Sequence, residues 1–126
     1  MEYKRLFQAA AVWNIGLGGS LGLFYERLLP LLKMPEAITS PLFLSEVVAL
    51  VITFGIGYYW VSRDFKGNIP IVKLGVIGKL LVFFTGLYWT TKNGCSLPVL
   101  ALLSGDFIFA VLFIVAIRKT MRVPAG

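Results

Sequence analysis

Residues Leu97 to Ile117 read LPVLALLSGDFIFAVLFIVAI, a mostly apolar run of 21 residues whose one ionisable side chain is Asp106. A helix needs about 20 such residues to cross a hydrocarbon core roughly 30 Å thick. Within hydrocarbon each backbone polar group must be paired inside the chain, and a lone segment manages that only as a helix. The run therefore predicts a transmembrane helix over 97–117. Working back from it, three more stretches of the same kind appear at 6–25, 42–62 and 71–90. The expected fold is all-α: a single-domain integral membrane four-helix bundle occupying 1–126.

Composition agrees. Of the 126 residues, 58% are hydrophobic and 14% charged, whereas soluble domains run near ~45–50% apolar and ~25% charged. Four spans leave short connections and no room for a second domain. Several chemistries are excluded. Without histidine there is no imidazole ligation of haem and no His-based zinc site. The lone Cys95 has no partner for an internal disulfide or a CxxC redox pair. There is no phosphate-binding Walker loop and no GxGxxG after a strand. No cofactor or metal is expected.

The first apolar stretch has the charged start of a signal peptide. Its length, and Asn14 in its middle, favour a retained span. Residues 26–41 form the longest connection, broken by Pro30, Pro35 and Pro41. Its leucines are too many for a solvated loop, so it is expected at the membrane surface. Ser40-Pro41 reads as a helix start, a hydroxyl cap followed by proline in the first turn. Residues 63–70 read as a polar turn. Asn93-Gly94 is a turn signal, and the short connection around it makes the third and fourth spans antiparallel neighbours.

Lysine and arginine near span ends fix the expected orientation. Lys4, Arg5, Arg63, Lys66, Lys73, Arg118, Lys119 and Arg122 fall on one side, Arg27, Lys33 and Lys92 on the other. The richer side should be cytoplasmic, with both termini on it. Glu2 and Asp64 bring the basic side to +6, Glu26, Glu36 and Glu46 offset the three outer bases and Asp106 offsets Lys79, so the net charge of +6 lies on one face. The partners this implies are the lipid bilayer and anionic inner-leaflet lipid, not nucleic acid. A second copy or another membrane protein is a further possible partner. Phe24 and Tyr25, Tyr58 to Trp60, and Tyr88 with Trp89 fall near span ends, as an interfacial aromatic belt does.

Polar groups in hydrocarbon are costly, so each needs a reason. Ala10, Asn14, Gly18, Gly22 and Glu26 recur every four residues on one face of the first span, and small residues there let helices approach. Glu46, Ala49, Thr53 and Gly57 share a face of the second, with Glu46 about one turn from the outer surface and within reach of water or Lys33. Lys79 and Asp106 both fall ~12–14 Å from a hydrocarbon boundary, near the midplane. Asn14 lies at similar depth, and Gly75, Gly78 and Gly86 leave space around Lys79. The candidate polar site is Lys79, Asp106, Asn14 and Glu46; the candidate packing glycines are Gly18, Gly22, Gly75 and Gly78. Helical side chains lean towards their own N-terminus, so the ends of Lys79 and Asp106 should diverge. A structural ion pair, a proton- or ion-linked site and separate local roles all remain open.

Three stretches carry a family resemblance. They are Gly57-Tyr58-Tyr59 leading to Arg63-Asp64, Gly75-Val76-Ile77-Gly78-Lys79, and Gly105-Asp106-Phe107-Ile108-Phe109-Ala110. The chain resembles small four-span bacterial inner-membrane proteins, loosely similar to DoxX-like and related domain-of-unknown-function families. The resemblance covers nearly the whole chain. It implies a multi-pass inner-membrane protein and places Lys79 and Asp106 in the family's recurring stretches, but it implies no established activity. Small multidrug exporters fit poorly: they carry a glutamate in the first span where this chain has Asn14. The expected role is a non-enzymatic accessory or assembly partner. The alternative is a small transporter or ion-linked carrier using Asp106 with Lys79. An enzyme is the weakest option, since no nucleophile accompanies Lys79, Glu46 and Asp106.

Overall fold

The computed structural model describes residues 3–34 and 40–122. Within them run four helices: α1 (Lys4–Leu31), α2 (Pro41–Arg63), α3 (Ile69–Thr91) and α4 (Leu97–Arg122). A single 3-10 turn, Lys66–Asn68, joins α2 to α3, and the described residues contain no strand. Glu2 and Glu36 of the charge count, Pro35 of the proline-broken connection, and residues 123–126 lie outside the described residues. All four helices are long and apolar enough to cross a bilayer. The chain is a multi-pass membrane protein of the all-α class.

The helices pair as two hairpins, α1 with α2 and α3 with α4. Lipid offers apolar side chains much the same surroundings as a protein core, so close packing and polar contacts must hold such helices together. Small residues make the seams. A Cβ added to Gly18 would stand 2.9 Å from Ile52, and one added to Gly22 would stand 3.1 Å from Val48. The seam predicted on α1 is therefore the face against α2. Gly55 of α2 takes the closest approach to backbone, its virtual Cβ 2.7 Å from Ile15 Cγ1 and 3.2 Å from the Ile15 amide nitrogen. In the second hairpin Gly86 seats Leu103.

The hairpins join most firmly at the end carrying Lys4, Arg63 and Arg122, termed the basic end. Phe7 stacks on Phe113 with centroids 4.6 Å apart, and Tyr58 meets Phe113 edge-on at 5.2 Å. Val61, Val72 and Ala116 complete this core with no exposure. Gly75 leaves room for the Tyr58 ring, which a Cβ there would meet at 2.8 Å. Gly78 does not act as expected: a Cβ on it meets nothing within 4 Å. It is half-buried and sits about 100° round the helix from Lys79.

Several local expectations are corrected. α1 does not stop at residue 25 but runs to Leu31, with a bend at Phe24 (φ −126°, ψ 25°) and Pro30 within its last turn. Leu28 and Leu29 are therefore helical rather than part of the connection to α2. The helix ends where Lys33 turns left-handed (φ 56°): its amide donates to the Pro30 carbonyl at 3.0 Å, and that of Met34 to Leu29 at 2.9 Å. That pair of bonds is the Schellman termination. α3 ends in the same way at Asn93 (φ 59°), with Gly94 donating to Trp89 at 2.7 Å. The Asn-Gly signal marked a turn, but the asparagine, whose short polar side chain tolerates this conformation, adopts it. Ser40 does occupy the N-cap of α2 with Pro41 behind it, yet its hydroxyl makes no capping bond. In the turn before α3, Asp64 Oδ1 accepts from the Gly67 amide at 3.0 Å. Phe65 in that turn is not polar lining; it is 2% exposed and packs on Tyr3 and Phe7.

Candidate functional site

Counting residues along each helix places Lys79 ten beyond the start of α3 and Asp106 nine beyond the start of α4. At 1.5 Å per residue both lie roughly 14–15 Å in. Because α3 and α4 are antiparallel, the two meet near mid-bundle. The Lys79 ammonium donates to Asp106 Oδ1 at 2.6 Å, a short charge-assisted bond. Among the described residues this is the ion pair that the structure contains. The expected divergence does not occur. The lean towards the N-terminus is set at the Cα–Cβ bond, and the flexible four-carbon stem of lysine carries the ammonium across the helix gap.

The pair is part of a longer relay. Lys79 Nζ also donates to Asn14 Oδ1 at 3.1 Å. The Asn14 amide nitrogen then donates to the Val51 carbonyl at 3.1 Å. Asp106, Lys79, Asn14 and Val51 belong to α4, α3, α1 and α2 respectively. One continuous line of hydrogen bonds thus ties all four helices. Its middle is buried: Lys79 is 5% exposed and Asn14 7%, while the Asp106 side chain keeps 16%. Asn14 reaches the Val51 carbonyl beside Gly55, where a Cβ would stand 3.1 Å from Asn14 Cβ. Gly55 thus admits the asparagine as well as the helix.

Two rings complete the surroundings of the ammonium. Its nitrogen lies 5.3 Å from the centroid of Tyr58 and 5.4 Å from that of Phe109, inside the ~6 Å range for cation–π attraction. Neither ring was expected in the site. Tyr58 was assigned to the interfacial belt with Tyr59 and Trp60. It is 1% exposed in the core, and only its two neighbours face outward. Spacing held the missed signal: Phe109 follows Asp106 by three positions and Tyr58 follows Val51 by seven, each on the same helical face.

Glu46, the fourth predicted member, stays apart. It is exposed near the start of α2, on the face with Ala49 and Thr53, and the Thr53 hydroxyl bonds back to Ala49 at 2.8 Å. An open apolar groove of about 380 Å³ lies between α3 and α4 nearer the end opposite the basic one, lined by Leu81, Gly86, Trp89, Cys95 and Leu103 among others. Asp106 does not line it. No protein family, curated protein or solved structure matches the chain.

Proposed function

We propose that this chain is a non-enzymatic accessory or assembly protein of the bacterial inner membrane, with both termini in the cytoplasm and its polar centre acting as a structural tie. One observation carries this reading. Each buried polar group in the relay uses its neighbours as partners, and each helix contributes one member. Catalysis needs a positioned nucleophile or general base facing an open substrate site. Here the central cation and carboxylate already neutralise each other. The basic end, rich in Arg and Lys, fits the cytoplasmic leaflet and its anionic lipid. The resemblance to DoxX-like four-span families supports the inner-membrane placement and implies no activity.

A second reading, an ion-linked carrier, draws on the Asp106 side chain, which is three times as exposed as Lys79 (16% against 5%). Proteoliposomes with an imposed pH gradient and an internal pH dye separate the two. The tie predicts that the wild type dissipates the gradient no faster than empty vesicles. It also predicts that the exchange Lys79→Asp with Asp106→Lys, which keeps the α3–α4 charge pair but loses the bond from position 79 to Asn14, still folds and inserts with reduced stability. Faster dissipation by the wild type, lost in a folded exchange variant, would establish the carrier instead.

A further inference from the structure

We propose that Asn14, Tyr58, Asp106 and Phe109 form a recognition site for a primary alkylammonium ion, which the Lys79 side chain occupies as a tethered guest. The proposal goes beyond the structural tie and does not depend on it. The four recognising residues come from α1, α2 and α4, and none from α3, which supplies only the cation. They surround the nitrogen with a carboxylate oxygen at 2.6 Å, a neutral amide oxygen at 3.1 Å and ring faces at 5.3 and 5.4 Å. A carboxylate with aromatic faces is the chemistry that recognises organic ammonium ions. Hard divalent cations demand six or more oxygen ligands, so this set does not suit them.

Three of the four members, Asn14, Tyr58 and Phe109, are also held by contacts that exclude Lys79. Asn14 is oriented by the Val51 carbonyl. Tyr58 is held edge-on by Phe113 at 5.2 Å and seated over Gly75. Phe109 lies 6.1 Å from both Trp13 and Phe113. The amide oxygen and both ring faces are therefore in place before the guest arrives, and Asp106 stands beside them on the same helix as Phe109, so a free ion of matching shape finds most of the site organised. In the wild type the tether gives Lys79 a high local concentration, so a free ion competes poorly.

The side chain of Lys79 beyond Cβ is, atom for atom, n-propylammonium. Lys79→Ala leaves a space of that shape, and its complement is soluble. The experiment follows thermal unfolding of Lys79→Ala in lipid bicelles with methyl-, ethyl-, n-propyl- and n-butylammonium chloride, with sodium chloride at equal ionic strength and n-propanol as neutral isostere. Apparent affinity should rise about fourfold per methylene up to n-propyl and fall at n-butyl. Sodium, n-propanol, wild type and Lys79→Ala/Asp106→Asn should give no comparable response. A response that climbs on through butyl, that sodium matches, or that survives in the double variant overturns the proposal. If Lys79→Ala folds only with ligand present, recovery of folded protein with n-propylammonium but not sodium is the supporting result. Recovery with neither overturns it. Those failures would leave the Lys79–Asp106 pair intact as a tie.

Discussion

Lys79→Met is expected to destabilise the bundle by about 3–5 kcal/mol, the usual cost of removing one partner from a buried ion pair. Methionine keeps the length of the stem and removes the charge. The carboxylate of Asp106 then has no cation within reach, and its short side chain cannot snorkel to water. Asn14 Oδ1 loses its donor as well. Asp106→Leu should cost less, about 1–3 kcal/mol, because Lys79 keeps its bond to Asn14 and the ring faces of Tyr58 and Phe109. The double variant Lys79→Met/Asp106→Leu should return to within about 1 kcal/mol of the wild type, since apolar replacement of a whole buried pair is often neutral or better. Reversible unfolding in bicelles, read as a double-mutant cycle, checks all three values. Equal and additive losses would show that the two charges act separately.

Gly55→Leu should have the second largest effect, a loss of about 1–3 kcal/mol from overpacking together with separation of α1 from α2. A Cβ at this position already crowds Ile15 Cγ1 at 2.7 Å, Asn14 Cβ at 3.1 Å and the Ile15 amide nitrogen at 3.2 Å. A side-chain tip can rotate away, but a backbone nitrogen moves only with its helix. The same shift stretches the bond from Asn14 to Val51, so the polar relay loses its link to α2. Gly19→Leu is the control, because nothing lies within 4 Å of its virtual Cβ. A cysteine pair engineered across the α1–α2 seam should crosslink in Gly19→Leu and lose efficiency in Gly55→Leu. Equal crosslinking would mean that the seam tolerates the bulk.

The spans were legible because hydrocarbon imposes a length and a composition on any helix that crosses it, and those two quantities are visible residue by residue. Termini were less so. Pro30 reads as a break, yet proline in a last turn forgoes a single bond, and the helix closes later through Lys33. The depth of Lys79, Asp106 and Asn14 followed from counting 1.5 Å per residue. Their convergence did not, because it depends on how the two hairpins turn about each other, which no local pattern encodes. Tyr58 shows the same limit. Position along a span made it an interfacial ring, whereas rotation about the helix axis, fixed by Gly75 opposite, placed it beneath the ammonium. Gly18 and Gly22 announced a seam through their spacing. Gly55, the tightest point of that seam, had no partner at four residues to announce it.

The most direct test is the distance between charged atoms, measured in lipid. Solid-state NMR on bilayer-embedded protein, with ¹⁵N in the lysine side chains and ¹³C in the aspartate carboxyls, reads the nitrogen-to-carboxyl coupling. Contact at 2.6 Å between Lys79 Nζ and Asp106 Oδ1 predicts strong dephasing of a single lysine signal, absent in Asp106→Asn labelled the same way. A folded, helical sample in which no lysine nitrogen couples to a carboxyl carbon would contradict the four-helix tie.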